Sequence, residues 1–274
     1  MSRTRKRILK ESRRFLMKSP IISQIDDSMV EYRKLLSKLD ADKKQNFLWK
    51  LEMSWIFHDS AIDGVVLSDK DLVDAFNVQV VTDISLQPLY NEIRNHKIAI
   101  DYIKSIVSKK SFTINQEILR RLQNIFTGEG LNSKSPIRYR REIPIHRMYF
   151  HEILTSRNMA NVMKQFFDWA NSKETRKMHP IAYASVVNYR FMRIFPFATH
   201  SGKIGRMVMN AILMKDGYLP AIIHAAERQA YYESLRESAD VLQDLIERSL
   251  YNTITSNIRI LKEMIYGERH LMTL

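Results

Sequence analysis

The stretch Asn188-Tyr-Arg-Phe-Met-Arg-Ile-Phe-Pro-Phe-Ala-Thr-His-Ser-Gly-Lys-Ile-Gly-Arg-Met-Val-Met-Asn210, continuing to Lys215-Asp-Gly-Tyr218, decides how the rest of this sequence reads. Taken alone, it is a helix ending near Arg193, a tight loop over 195–205 that holds Gly202 and Gly205, and a second helix from Met207 to Lys215. Asp216-Gly217 stops that second helix. Lys203 and Arg206 stand beside its start. Free backbone N–H groups, the positive end of the helix dipole and two cations together suit an anion. The spacing is not that of a Walker A loop, because no Ser or Thr follows Lys203 and the upstream glycine is missing. An ordinary helix–turn–helix with surface cations fits the same residues equally well.

Working outward, helical pattern dominates. His179-Pro180 opens the first helix of the pair, a place where proline sits well. Another helix runs from about Asn158 through Phe166, Phe167 and Trp169. Met29, Tyr32, Leu35, Leu36 and Leu39 mark an amphipathic helix, and Phe47, Leu48, Leu51 and Trp55 mark the next. Leu89, Ile93, Ile100 and Ile103 mark a longer one. Ser68 with Asp71 resembles a capping box, and Thr113 with Gln116 opens a further helix. Gly128 and Gly130 make a turn, and two more helices follow Tyr218. Ser135 to Ile153 is different. Without helical period, it mixes Arg138, Tyr139, Arg140, Arg141, Ile143, Pro144 and Ile145 and reads as an exposed β-hairpin flap. Such an edge can pair with an extended segment of a partner.

Composition narrows the class. The chain has 274 residues, 45% hydrophobic and 27% charged, which suits a globular protein with a full core. Seven glycines and seven prolines are too few for an all-β architecture. The lack of cysteine excludes disulfides, thiolate metal sites and cysteine nucleophiles. No apolar run reaches the ~20 residues of a membrane helix, and a cytoplasmic location is expected. Of the net charge of +13, more than half lies in residues 1–20, with eight basic side chains against Glu11. Ile8, Leu9, Phe15 and Leu16 would give a helix there one apolar stripe and one basic face. Such a face could meet nucleic acid or a membrane surface, and the segment also has the look of a transit peptide. The plainer reading, a solvated tail or a helix docked on its own domain, is preferred.

Residues 195–206 resemble the motif H-P-F-x-[DE]-G-N-G-R-x-x-R of the Fic/DOC family, which lies between two helices. The resemblance extends over roughly residues 55–240. His179-Pro180-Ile181 opens the preceding helix as in the family, and Ile143-Pro144 to Trp169 is similar to its target-binding flap and next helix. Glu227 to Leu235, with Tyr231 and Tyr232, resembles the segment that closes over the nucleotide. His58-Asp-Ser-Ala-Ile-Asp63-Gly64 resembles the inhibitory motif [ST]-x-x-x-E-[GN]. The resemblance implies an all-α Fic-fold helical bundle with a short β-hairpin flap. It is organised as a basic segment (1–20), a helical region with the inhibitory-like motif (21–110), and a Fic-like core with C-terminal helices (111–274), the last two forming one unit. It further implies protein adenylyltransferase activity, with ATP and Mg²⁺ as cofactors where that activity is retained. Phosphate or nucleotide contacts would fall to Ser201, Gly202, Lys203, Gly205, Arg206, Tyr231 and Tyr232. Asp63 and Gly64 would be inhibitory, with Asp63 facing Arg206. Arg138, Tyr139, Ile143 and Ile145 would meet a target protein, and a second copy of the chain in a homo-oligomer is a further partner to be considered.

The departures from the motif bear on chemistry. Phe195 stands where the family has its general base, and a phenyl ring accepts no proton; losing a general base costs about 10²–10⁴ in rate. Thr199 replaces the metal-holding carboxylate, a poor substitute on a hard cation, so no metal ligand is expected there. His200 replaces the first glycine of the anion nest, Ser201 the asparagine, and Lys203 an arginine with its bidentate fork. The expected function is therefore a Fic-fold protein that has lost nucleotidyl transfer and acts as a binding or regulatory module. The alternative is an active transferase of AMP or another phosphate-containing group with rearranged residues, His200 being the displaced-base candidate. A third reading, nucleic-acid or membrane association through residues 1–20, predicts steeply salt-dependent binding.

Overall fold

Thirteen consecutive residues, Ser201 to Leu213, are all buried, although they include Ser201, Lys203, Arg206 and Asn210. A helix buried on every side belongs at the centre of a bundle, and the other elements are arranged around it. The computed structural model describes residues 20–77, 84–144, 151–155 and 157–267. Ile145, His146 and the basic segment 1–19 lie outside the described residues.

The described helices are α1 (Pro20–Leu36), α2 (Ala41–Ile62), α3 (Asp69–Phe76), α4 (Gln87–Val107), α5 (Gln116–Phe126), α6 (Met159–Ala170), α7 (Pro180–Ile194), α8 (Ser201–Lys215), α9 (Arg228–Glu237) and α10 (Ala239–Tyr266). The central α8 packs against α7 on one side and α4 on another. Behind α7 lies the 28-residue α10, which also carries α1 and α9. The α7–α8 contact is close because Gly205 lets the Phe191 ring approach: a Cβ at Gly205 would lie 2.9 Å from Phe191 Cδ1. Among the described residues no strand occurs, and no helix is long and apolar enough to cross a membrane.

Local signals account for most helix starts. Ser68 and Asp71 form a capping box, with the Asp71 N–H donating to Ser68 Oγ at 3.2 Å and the Ser68 N–H to Asp71 Oδ2 at 2.8 Å. His179 caps α7, with Pro180 in its first turn. Two expectations need correction. The cap of α5 is Asn115, whose side chain accepts the Ile118 N–H at 3.0 Å, and not Thr113. The helix after the motif loop begins at Ser201, so Gly202 and Gly205 are helical and the loop is confined to 195–200.

The flap region also differs from a hairpin. Residues 131–139 alternate between more and less exposed positions, as an extended chain does, and the buried Arg140 ends the pattern. The segment's inward main-chain groups are bonded to a side chain and a loop rather than to a second strand. The Arg138 N–H donates to Gln123 Oε1 at 2.8 Å, and the Arg140 N–H to the Pro196 carbonyl at 2.9 Å.

Candidate active site

The motif loop is built to keep its shape. Phe195 ends α7 in the left-handed region, at φ 47°, and donates its N–H to the Phe191 carbonyl at 2.7 Å. A buried guanidinium caps that helix end. Arg140 donates to the carbonyls of Phe195 at 2.6 Å, Ile194 at 3.0 Å and Leu154 at 2.6 Å, which complements the negative end of the α7 dipole. Arg140 is thus a structural clamp and not an exposed flap cation. Ser201 closes the loop from the other side: its Oγ accepts the Phe197 N–H at 2.8 Å and donates to the Phe197 carbonyl at 3.0 Å. Phe195 and Phe197 are buried at 1% and 0% exposure, and the Tyr139 ring stacks on Phe197 at 5.8 Å.

His200 precedes α8 in the left-handed region at φ 61°, a conformation that L side chains pay for. Its ring stacks on Phe126 at 5.7 Å, and it makes no capping bond. Burial lowers its pKa, with Lys203 adding to the effect against the opposite pull of Glu92 and Asp63. Thr199 is exposed.

The two cations of α8 are buried, contrary to a surface helix–turn–helix. Arg206 donates through Nε and Nη2 to the two carboxylate oxygens of Asp59, and its Nη2 also lies 3.2 Å from Asp63 Oδ1. Lys203 Nζ lies 3.2 Å from Asp63 Oδ2 and 3.0 Å from Glu92 Oε1. Arg206 and Asp63 therefore do meet, but the forked partner of Arg206 is Asp59. Burial alone would push both cations toward their neutral forms. The carboxylates outweigh it: Asp63, Glu92 and Asp59 hold the Lys203 ammonium above the usual lysine value, and Asp59 and Asp63 hold Arg206 well above its own.

Asp63 sits at the C-terminal end of α2, where a carboxylate faces the wrong end of its own helix dipole. The opposing helix start compensates. A Cβ at Gly202 would lie 3.0 Å from both Asp63 Oδ1 and Arg206 Nη1, so the carboxylate lies against the first turn of α8. The anion place identified from sequence is filled from within the chain. Gly64 follows in the left-handed region at φ 92° and ends the turn. The end of α2 is clamped by α9, since Arg228 Nε and the Tyr232 hydroxyl donate to the Ile62 carbonyl at 2.9 and 3.3 Å.

Tyr231 and Tyr232 are buried at 0% and 4% exposure, so in this arrangement neither ring is open to a stacking base. Tyr231 lies 5.8 Å from the Arg206 guanidinium and donates its hydroxyl to Asn188 Oδ1 at 3.4 Å. Of the flap residues, Arg138 is exposed and paired with Glu129, while Tyr139 and Ile143 are partly buried. Clefts of about 810 and 440 Å³ are lined by residues of 41–55, 97–108 and 214–220, and by none of the motif residues.

Two members of the cluster had no sequence assignment. Glu92 and His96 are one turn apart on α4, and His96 is fully buried with Nε2 3.5 Å from Asp59 Oδ2. Burial pushes the His96 ring down to about 4 despite the pull of Asp59. The signal was present: Leu51, Trp55 and Asp59 follow a four-residue spacing, as do Glu92 and His96 beside Ile93 and Ile100. A titratable residue in such an apolar stripe marks a buried polar partner.

The loop lies between two packed helices of a helical bundle, and residues 108–213 match the model of the Fic/DOC family. The chain carries a Fic/DOC family domain. It is 30% identical over 189 residues to the protein adenylyltransferase Fic of Drosophila willistoni, covering 66% of this chain and 36% of that protein. The protein of the same name from Aedes aegypti is 28% identical over 187 residues, again 66% of this chain and 36% of the relative. The chain thus spans about a third of the length of these curated relatives. Among solved structures, a Fic domain containing signaling protein from Bacteroides thetaiotaomicron superposes with a TM-score of 0.72 at 16% identity, over 87% of this chain and 96% of that one. A fragment of Fic-1 from C. elegans superposes with a TM-score of 0.70 at 19% identity, over 96% of this chain and 76% of that one.

Proposed function

We propose that this Fic-fold protein has lost nucleotidyl transfer and serves as a binding or regulatory module. The observation that carries the reading is Phe195: the position of the family's base holds a phenyl ring, fixed by a left-handed backbone and closed off at 1% exposure. No proton can be taken there, and restoring a histidine would bury it. The cofactors point the same way. A nucleotide and Mg²⁺ need an open first turn on α8 and a carboxylate in the loop. Here Asp63 fills that turn and Thr199 supplies a neutral hydroxyl, so the residues do not fit the pair in this arrangement.

Target recognition through the flap is part of this proposal. Arg138 and Arg140 turn their main-chain groups inward, so in an extended chain residues 137, 139 and 141 turn theirs outward, as strand addition requires.

Incubation with labelled ATP tests the reading. No label should pass to the protein itself or to generic acceptors, and Phe195→His alone should not change that. Recovery should need Phe195→His, Thr199→Asp, His200→Gly, Ser201→Asn and Lys203→Arg, together with Asp59→Ser and Asp63→Gly to free the cations. Robust labelling by the unaltered protein overturns the proposal, and its loss on His200→Ala would favour the rearranged enzyme. Calorimetry with ATP should give weak heats that Mg²⁺ leaves unchanged.

A further inference from the structure

Next to the ion cluster, one feature of α2 has no part in the reading above. His58 and His224 stack face to face, with ring centroids 4.3 Å apart and planes 17° from parallel. His58 Nδ1 also accepts the Ala225 N–H at 3.3 Å, which requires that nitrogen to be unprotonated. Phe57 packs edge-on against His58 at 5.2 Å. His58 directly precedes Asp59, the forked partner of Arg206. The stack, the Ala225 bond and the two donors on the Ile62 carbonyl join the last turn of α2 to segment 224–232.

We infer that the His58–His224 stack is a proton-sensitive clasp that docks the last turn of α2, and with it Asp59 and Asp63, onto the anion site. It rests on reading those carboxylates as the internal occupants of that site, and not on the loss of transfer.

Two neutral imidazoles stack favourably, whereas a second charge at 4.3 Å repels the first and a proton on Nδ1 removes the Ala225 bond. The charges around the pair do not cancel this. Glu227 takes the His224 N–H at 3.1 Å and the Ser249 hydroxyl of α10 at 3.4 Å. Arg228 is directed at the Ile62 carbonyl, Asp59 at Arg206, and Asp63 at Lys203 and Arg206. Burial, and then His224, push the His58 ring down to about 4. A folded-state value below the ordinary one means that the docked form loses stability as pH falls from about 6.5 towards 4. Because His58 is partly exposed, the docked-to-released ratio should fall about tenfold between pH 7 and pH 5, less than the full shift would give.

Hydrogen exchange of the full chain tests this, corrected for the intrinsic pH dependence of exchange. Protection at Asp63, Gly64 and Val65 should drop about tenfold from pH 7 to pH 5, while the middle of α10 keeps its protection. His224→Phe preserves a stacked ring without the second charge and should make that drop smaller, the burial of His58 and its Ala225 bond supplying the remainder. His58→Gln should make the profile flat, and serves if the first variant fails to fold. An identical pH profile in His224→Phe and the unaltered protein overturns the clasp, as does undiminished protection at pH 5. Tripolyphosphate separates the two ideas. Binding at pH 5 but not pH 7 supports both, whereas release without binding supports the clasp and removes the anion-site reading beneath it.

Discussion

The motif segment divides into a loop and a first helical turn that are held in different ways. Residues 195–201 are fixed by backbone and by one local side chain: Phe195 and His200 hold left-handed conformations, and Ser201 ties the loop to Phe197. Residues 202–206 are fixed by charge from elsewhere in the chain, because Asp59, Asp63 and Glu92 neutralise Lys203 and Arg206. The loop is therefore held by its own main chain, whereas the two cations are held by carboxylates from other helices. The reason is packing. The loop carbonyls and the buried cations each have partners in the core, and removing either would leave an unpaired polar group.

That comparison can be broken at defined points. The largest effect should come from Arg206→Met, which strips Asp59 of its forked partner in the interior and leaves Asp63 to Lys203 alone; urea unfolding should show a loss of about 3–5 kcal/mol. Combining it with Asp59→Leu should return much of that loss, and failure of the pair to couple would mean the fork contributes little. Next comes Gly205→Ala. Its Cβ would press on the Phe191 ring, so about 2 kcal/mol should be lost and the α7–α8 contact loosened.

A smaller cost of about 1 kcal/mol is expected for Gly202→Ala, because the obstructing atoms end the Asp63 and Arg206 side chains. In an Asp63→Gly background that cost should shrink, and an unchanged cost would place the Asp63 carboxylate elsewhere in solution. His200→Gly should be the mildest. It relieves a left-handed histidine and gives up one ring contact with Phe126, so thermal unfolding should report a gain of about 0.5–1 kcal/mol. Loss of stability there would show that the His200–Phe126 stack outweighs the backbone strain.

Much of the fold was legible in the sequence. The order of motif loop, preceding His179-Pro180 and helical periods led to the bundle, because an apolar stripe at helical spacing has few ways to be buried. The start of α8 was misjudged for an instructive reason. Gly202 and Gly205 look like loop residues, yet each is a helical position where another side chain comes too close for a Cβ. The flap was misjudged in part: extended alternation was visible, but the partners of its main chain were Gln123 and Pro196, which no local pattern announces. Of the buried ion cluster, Arg206, Lys203 and Asp63 stand out in the sequence, whereas Glu92 and His96 do not, because their partners are distant in the chain.

By itself the sequence determined the kinds of group at each motif position: that residue 195 carries no base, that residue 199 carries no charge, and that two cations stand near a helix start. These are matters of covalent identity, and no packing can alter them. Only the tertiary structure decided where those cations are directed. Whether Arg206 waits for a phosphate or holds Asp59 depends on how α2, α4 and α8 pack, and on whether Asp63 can approach the chain at Gly202. A charge buried at 2% exposure must find its counter-charge within the fold, and three helices brought together supply it.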